Sequence, residues 1–232
     1  MSNSRDTDHS ATDRDTDAGV NRPPVFDRAF ADKFHELLLW RRDVRRFVTR
    51  PLEPGLLSKI LDQADLAPSV GNSQPWRIVR VMSPERRATV RSTFEQENSE
   101  AMAGFDGERR ALYARLKLAG LDDAPEHLAV FCDNATAQGH GLGKATMPET
   151  LAYSVVGMIQ TLWLAARMRG VGVGWVSILD PVRIHEALSV SEDWQFIAYL
   201  CLGYPEEDHV DPELERAGWQ GRTPLASRLY ER

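Results

Sequence analysis

The chain has 232 residues, of which 42% are hydrophobic and 27% charged, as is ordinary for a globular protein with one large domain or two small ones. Its net charge of −6 argues against a surface that binds nucleic acid or an anionic membrane. The most apolar stretch, Leu151 to Ala166, is shorter than the roughly 20 residues needed to span a bilayer, and no secretory signal pattern opens the sequence.

The cysteines and histidines carry no sign of a disulfide or a metal site. Cys132 and Cys201 each lie in a hydrophobic, strand-like run, which predicts two buried free thiols and a reducing, cytoplasmic compartment. The six histidines have no ligand spacing among themselves or with the cysteines, so no metal is expected.

The first 24 residues are rich in Asp, Ser, Thr and Asn and nearly lack large apolar side chains. Such a segment cannot bury enough surface to offset the entropy lost on ordering. We therefore expect a disordered tail over residues 1–24 and a single domain over residues 25–232.

The next stretch, residues 26–40, has Phe30, Phe34, Leu37 and Leu38 at the spacing of one helix face. It leads directly into an arginine cluster; the residues are Arg41, Arg42, Asp43, Val44, Arg45 and Arg46. In a helix, the like charges at positions 41 and 45 and at positions 42 and 46 would repel each other, at a cost of roughly 0.2–0.5 kcal/mol per pair. Four clustered guanidiniums therefore predict an anionic ligand that neutralises them. Because the guanidinium fork matches phosphate oxygens, a phosphate monoester is the first candidate. The alternative is a solvated helix end with an internal Asp–Arg pair, and in either case the arginines should lower the pKa of Asp43.

A second amphipathic helix is predicted after the prolines at 51 and 54, followed by the loop Ala67 to Trp76; its inward-facing residues are Leu56, Leu57, Ile60, Leu61 and Ala64. The loop presents hydroxyl and amide groups from Ser69, Asn72, Ser73 and Gln74. Asn and Gln each offer a donor and an acceptor, which suits a heterocycle edge with alternating N–H and C=O groups. The alternative is a polar turn that leads into a strand over residues 78–81.

Residues 84–119 read as one or two helices with a break near residues 104–107, and the part from about 94 to 121 is either a lid over a pocket or a surface helical hairpin. A strand is expected over residues 128–132. The glycines around His140 lack P-loop spacing and are expected to form a loop.

A capping box at residues 146–149 is expected to open an apolar helix that runs to about Met168 at the centre of the fold or of a dimer. The glycine run 170–174 precedes a strand predicted over residues 175–179, the reverse of a dinucleotide fingerprint. Its glycines should instead let backbone approach a flat ligand or a neighbouring chain. A helix capped by Asp180 and a strand over residues 195–203 follow, and the polar C-terminal stretch offers Trp219, Arg222 and Pro224 as anchors.

Taken together, three motifs resemble the FMN-binding nitroreductase family. They are the arginine cluster with Phe47, the loop from Ala67-Pro68-Ser69 to Gln74-Pro75-Trp76, and the run Gly174 to Leu179. The resemblance covers residues 27–222 in order. Typical members carry Ser or His where this chain has Asp43. An Asp at this position, together with the stretch 113–121, resembles the branch of the family that consumes reduced FMN.

The resemblance implies an α+β fold with a central, mostly antiparallel sheet flanked by helices, in a homodimer with FMN at the interface. It assigns Arg41, Arg42 and Arg45 to the FMN phosphate and ribityl chain, with Asp43 and Val44 beside them. Further flavin contacts are implied for the following residues, some of them from the partner subunit: Ser69, Asn72, Gln74, Leu118 in the lid, Ser177 close to the ring, and Arg222 as a second phosphate ligand.

The activity implied by this branch is the O₂-dependent fragmentation of reduced FMN to 5,6-dimethylbenzimidazole and erythrose 4-phosphate, for the lower ligand of cobalamin. A separate NAD(P)H-dependent flavin reductase would supply the reduced FMN. Asp43 would move protons at the ribityl carbon or the adjacent ring nitrogen, and Ser177 would hydrogen-bond the ring. The alternatives are an Asp43 that only orients the arginines and a Ser177 that is a plain strand residue. For the function of the whole protein, the alternatives are an NAD(P)H-dependent FMN oxidoreductase and a non-catalytic flavin-binding protein.

Overall fold

The computed structural model describes residues 23–113 and 120–232. The predicted tail therefore lies outside the described residues except for Pro23 and Pro24, and so does Leu118. Within the described ranges, no helix has the length and apolar character needed to cross a membrane.

The described ranges contain helices on both sides of one sheet. The helices are α1 (Arg28–Trp40), α2 (Leu56–Ala64), α3 (Pro84–Ala103), α4 (Gly107–Tyr113), α5 (Gly120–Asp123), α6 (Thr150–Arg167), α7 (Pro181–Leu188) and α8 (Glu213–Arg216). The strands are β1 (Phe47–Val48), β2 (Trp76–Arg80), β3 (Glu126–Asp133), β4 (Gly172–Val176) and β5 (Trp194–Pro205). The predicted break between α3 and α4 and the Asp180 cap of α7 are confirmed, the latter by a 2.9 Å bond from the Val182 amide to Asp180 Oδ1.

The sheet is antiparallel at every pairing of its five strands, in the order β1-β5-β3-β2, with β4 also paired to β5. The long strand β5 pairs with β3 through residues 194–202 and with β4 through residues 199–203. This confirms the predicted α+β architecture with a mostly antiparallel sheet.

Alternation along the central strands builds a core on each face of the sheet. From β3, Leu128, Val130 and Cys132 pack with α2 and α6, whereas Ala129 and Phe131 pack on the opposite face against α3 and α7. Cys132 and Cys201 are buried free thiols on opposite faces, as predicted. Burial raises the pKa of Cys132 to about 11, so neither thiol is primed as a nucleophile in this core.

Helix α6 lies across one face of the sheet and is buried on that side. It begins at Thr150, and the predicted capping box is wrong because Thr146 Oγ1 donates to the Gly143 carbonyl at 3.2 Å instead of capping a helical N–H. The glycine loop before it turns through positive φ at Gly139 and Gly141, which delays the helix.

The outer faces of α1 and α6 remain uncovered. Unlike α2, α1 has no buried residue, and Phe30 and Phe34 are 50% and 44% exposed. On α6, Tyr153 and Val156 are also exposed. The α1–α6 groove has a volume of about 850 Å³ and an apolar lining that includes Phe30, Phe34, Trp40, Leu66, Leu164 and Met168. Apolar surface of this extent usually marks an interaction site.

Candidate functional site

The arginine cluster lies on extended backbone directly after α1. The helix ends at Trp40, and Arg41 has φ −71° and ψ 112°, so the repulsive helical spacing expected for the arginine pairs is wrong. Two tertiary contacts hold the segment: Trp163 Nε1 donates to the Arg42 carbonyl at 3.1 Å, and the Val44 amide donates to the Val173 carbonyl at 3.0 Å. Residues 43–44 thus run beside β4 in a parallel bridge.

Two glycines of β4 allow this close approach. A Cβ on Gly174 would lie 2.2 Å from the Val44 carbonyl oxygen, and one on Gly172 would lie 2.7 Å from Val44 Cγ2. The predicted close backbone approach therefore exists, but its partner is residue 44 of the same chain. The strand also begins and ends three residues earlier than predicted, because its register with β5 runs from Gly172 to Val176.

A cleft of about 170 Å³ opens between this segment and the C-terminal part of the chain. We call it the arginine cleft; its lining residues are Arg41, Arg42, Asp43, Arg45, Pro212, Glu213, Leu214 and Arg222. Four guanidiniums therefore face two carboxylates. This excess of positive charge in a small polar cleft suits a compact anion such as a phosphate monoester.

The arginines of the cleft are held by contacts that leave donors open. Arg42 Nε donates to the Val210 carbonyl at 2.8 Å, and the Arg41 guanidinium lies over the Trp163 ring at 5.0 Å. Burial lowers the pKa of both Arg41 and Arg42, and repulsion by Arg222 lowers both further. A bound anion would relieve this unfavourable charge.

Asp43 is anchored at the inner end of the cleft. Its Oδ1 accepts the Trp175 amide at 2.9 Å, and its Oδ2 accepts Arg45 Nε at 3.4 Å. The side chain keeps 36% of its surface exposed. Burial raises the pKa of Asp43 above its ordinary value and outweighs both bonds, so the expected lowering by the arginines is wrong. The physical reason is that the Arg45 contact is long and lowers the pKa only a little, while the surrounding protein removes part of the hydration of the carboxylate.

The predicted amide loop is stiff and locally strained. The Gln74 amide donates to Ser69 Oγ at 3.0 Å, and Gln74 Nε2 donates to Asn72 Oδ1 at 3.2 Å. Asn72 and Gln74 have φ values of 54° and 43°, in the left-handed region that non-glycine residues rarely adopt. Such backbone conformations concentrate at binding sites.

Within one chain, the amide loop and the arginine cleft lie apart. The loop is tied to α6 through the Val70 amide and Ser154 Oγ at 3.0 Å, whereas the cleft contacts α6 at Trp163. Nine residues of helix separate these points by about 13 Å. Ser177 is closer to the cleft, since it is exposed and follows by two residues the Trp175 amide that holds Asp43.

Two further predicted site residues, Val44 and Arg222, lie at the cleft in different situations. The backbone N–H of Val44 is taken by Val173 and cannot serve a ligand. Arg222 lines the arginine cleft, as expected for a phosphate ligand. Trp163, Glu213 and Leu214 were not predicted at the site, because an apolar helix and a polar tail carry no ligand pattern.

The nitroreductase family profile matches residues 38–204 of this chain. The chain is 58% identical over 201 residues to a 5,6-dimethylbenzimidazole synthase of Rhodospirillum rubrum, covering 87% of this chain and 95% of that protein. It is 46% identical over 199 residues to a 5,6-dimethylbenzimidazole synthase of Rhodobacter capsulatus, and this match covers 86% of this chain and 96% of that protein. Identity is 26% to a putative NAD(P)H nitroreductase of Bacillus subtilis, which covers 84% of this chain and 92% of that protein.

Solved structures share the fold at lower identity. A putative nitroreductase of Exiguobacterium sibiricum in complex with FMN superimposes with a TM-score of 0.64 at 18% identity, covering 86% of this chain and 97% of that one. The structure of oxidized iodotyrosine deiodinase bound to FMN and 3-iodo-L-tyrosine also superimposes with a TM-score of 0.64, at 22% identity. The superposition covers 75% of this chain and 91% of that one.

Proposed function

The chain belongs to the nitroreductase family, and from that membership we propose that it fragments reduced FMN with O₂ to 5,6-dimethylbenzimidazole and erythrose 4-phosphate, for the lower ligand of cobalamin. The identity of 58% and 46% to two 5,6-dimethylbenzimidazole synthases over nearly their full lengths supports this choice. The observation that carries it is the arginine cleft with Asp43 at its inner end.

The cleft recognises the phosphate of FMN. Arg41, Arg42, Arg45 and Arg222 supply the donors, and bidentate guanidinium–phosphate pairs fix the orientation of the ribityl chain. A phosphate dianion offsets the two surplus positive charges that the carboxylates leave. Riboflavin, which lacks the phosphate, should bind much more weakly.

Asp43 moves a proton at the ribityl carbon attached to the ring or at the neighbouring nitrogen. Its bond from the Trp175 amide fixes the carboxylate, and its raised pKa brings the acid form closer to the working pH than for an ordinary Asp. Ser177, at the end of the same strand, hydrogen-bonds the ring. Because the Asp43 carboxylate is held in one place beside the reacting atoms, its high effective molarity compensates for its modest acid strength.

The site is completed by a second copy of the chain. The contacts of the amide loop and of the arginine cleft with α6 lie about 13 Å apart, so the two sets of groups serve different parts of the ligand, and the α1–α6 groove offers an apolar surface for dimerisation. In the homodimer, Ser69, Asn72 and Gln74 of one copy face the flavin whose phosphate lies in the cleft of the other.

FMN acts here as substrate, with O₂ as the second substrate and no metal. Its reduction belongs to a separate NAD(P)H-dependent flavin reductase, and the reaction takes place in the cytoplasm. The helices α3 and α4 belong to a lid that restricts access to the ring.

Mixing the protein with chemically reduced FMN in air tests the proposal. A synthase destroys the flavin, so the absorbance of oxidised FMN does not return and a benzimidazole accumulates. An NAD(P)H-dependent oxidoreductase, the candidate favoured by the likeness to the Bacillus subtilis protein, restores the oxidised spectrum. A flavin-binding protein without activity only shifts that spectrum.

A further inference from the structure

The segment after β5, residues 206–222, forms the second wall of the arginine cleft. Arg42 Nε donates to the Val210 carbonyl at 2.8 Å, and Arg46 Nη1 pairs with Glu213 at 3.2 Å. These contacts bring Leu214 and Arg222 to face the arginine cluster across the cleft.

This wall ends in a rigid turn. Gly218 follows α8 with φ 76°, its amide donates to the Glu215 carbonyl at 3.0 Å, and the Trp219 amide donates to the Leu214 carbonyl at 2.8 Å. This pattern is a Schellman motif, which fixes the residue after the glycine relative to the helix. The backbone of Trp219 is therefore tied to a residue that lines the cleft.

The Trp219 indole leaves the cleft and packs against the α3–α4 hairpin. Its ring meets Phe105 edge-on at 5.5 Å and Tyr113 at 6.2 Å between centroids, and the Arg109 guanidinium lies over it at 5.6 Å. The Tyr113 hydroxyl donates to Asn98 Oδ1 at 2.8 Å, which connects the aromatic cluster to α3. Trp219 thus joins the C-terminal wall to α4 and to Phe105 in the turn before it, and Tyr113 extends this connection to α3.

Arg222 lies three residues after Trp219, and few other contacts among the described residues fix its position. Its side chain is exposed at the cleft, and no hydrogen bond or ion pair joins it to another described residue. Residues 220–224 carry no helix or strand. The direction in which the chain leaves Trp219 consequently determines where the guanidinium lies.

We propose that Trp219 is a positioning residue that fixes Arg222 over the arginine cleft by anchoring the C-terminal segment on α4. The proposal rests on the proposed function for the identity of the ligand, FMN. Trp219 does not touch the phosphate, and its effect on binding passes entirely through Arg222. It follows that Trp219 affects the affinity for a flavin only when that flavin carries a phosphate.

Equilibrium affinities for oxidised FMN and riboflavin, in the full-length protein, test the proposal as a double-mutant cycle. Arg222→Ala should weaken FMN binding by about tenfold or more, since it removes a charge-assisted bond to phosphate. Trp219→Ala should weaken FMN binding by about fivefold, and riboflavin binding by less than about twofold, because the aromatic cluster stabilises only the position of the wall. The double variant should bind FMN no more weakly than Arg222→Ala alone.

Further variants separate positioning from general damage. Trp219→Phe keeps an aromatic anchor and should recover most of the FMN affinity. Phe105→Ala removes the same contact from the other side, should reproduce the loss, and replaces Trp219→Ala if that variant does not fold. Tyr230→Ala changes an exposed aromatic residue of the same C-terminal region and should have no effect.

Three results would overturn the inference: equal losses for FMN and riboflavin in Trp219→Ala, additive losses in the double variant, or unchanged FMN affinity in both Trp219→Ala and Phe105→Ala. Failure of the proposed function alone gives a different result: the unmodified protein binds FMN more tightly than riboflavin but returns the flavin intact in the assay with reduced FMN and air, and the inference about Trp219 stands or falls on the affinities. If the unmodified protein binds FMN no more tightly than riboflavin, both proposals fall together.

Discussion

Asp43 is the residue on which the proposed chemistry depends. Its neighbours in sequence are arginines, which predict a carboxylate with a lowered pKa, yet among the described residues only Arg45 donates a guanidinium bond to it, at 3.4 Å, and partial burial raises its pKa. Desolvation exceeds attraction here because ion pairing over that distance is weak next to the loss of solvation. The raised pKa makes Asp43 a better proton carrier near neutral pH than its sequence neighbourhood implied.

Asp43→Asn should lower the rate of flavin fragmentation by about 100-fold or more, the usual contribution of a positioned acid or base. Asn still accepts the Trp175 amide, so FMN affinity should stay within about threefold. In the unmodified protein the rate should change through a pKa above the ordinary Asp value. Single-turnover kinetics with reduced FMN across pH, with the exposed Asp62→Asn as control, measure both effects. Loss of FMN binding instead would assign Asp43 the role of orienting the arginines.

His127 is a buried residue outside the site whose charge state limits stability. Its Nδ1 lies 2.9 Å from the Tyr199 hydroxyl, its Nε2 has no partner among the described residues, and it is 1% exposed. Burial, with a smaller effect of Arg87, lowers the pKa of His127 to about 4. The unfolded chain binds this proton near pH 6.5, so the stability contributed by neutral His127 is complete above that pH and is lost as the pH falls towards 4.

This linkage predicts that the free energy of unfolding falls by about 2 kcal/mol between pH 7 and pH 5 through His127 alone. His127→Gln should remove that part of the pH dependence, since Gln can keep the bond to Tyr199 without titrating. Urea unfolding at the two pH values measures it, with the exposed His35→Gln as control. An unchanged pH dependence in His127→Gln would refute the assignment.

At the scale of elements, apolar patterns predicted α2, β2, β3 and β5, and glycines predicted the α3–α4 break, because each of these signals is local. The errors occur where tertiary contacts decide. The arginine segment is extended because Trp163 and Val173 bind its backbone, and β4 is shifted because β5 sets its register. No local pattern encodes those partners.

Gly174→Ala tests the contact between the arginine segment and β4. The added Cβ would overlap the Val44 carbonyl, so the segment must move, at a cost of about 1–3 kcal/mol in stability. FMN affinity should also fall, since Arg45 and Asp43 move with Val44. Denaturation and flavin titration measure these losses. Gly104→Ala is the control, because its added Cβ would lie 3.4 Å from the nearest atom, an ordinary contact distance. This variant should lose neither stability nor FMN affinity. Equal losses in Gly174→Ala and Gly104→Ala would contradict the proposed contact.

At the scale of the molecule, the sequence predicted that one apolar helix, α6, lies at the centre of the fold or of a dimer, and the structure leaves the outer faces of α1 and α6 uncovered. The amphipathic pattern of α1 could not indicate which surface would cover it, since intrachain and interchain burial leave the same periodicity. The separation of the amide loop from the arginine cleft could not be read from motif order either.

Phe34→Asp tests the proposed dimer, because Phe34 lies in the α1–α6 groove and is 44% exposed in the isolated chain. A charge there should cost the monomer little but should separate two copies that pack through this face. Sedimentation should change from dimer to monomer, with weaker FMN binding. Lys59→Asp on exposed α2 surface is the control. A dimer that survives Phe34→Asp would place the interface elsewhere.

The central claim is that FMN is consumed and that its ribityl carbon next to the ring is the carbon excised. The direct measurement uses reduced FMN labelled with ¹³C at that carbon, incubated with the protein in air and followed by mass spectrometry. The account predicts a labelled 5,6-dimethylbenzimidazole, with the label at C2, and unlabelled erythrose 4-phosphate. Recovery of intact labelled FMN after repeated reduction and reoxidation would contradict it.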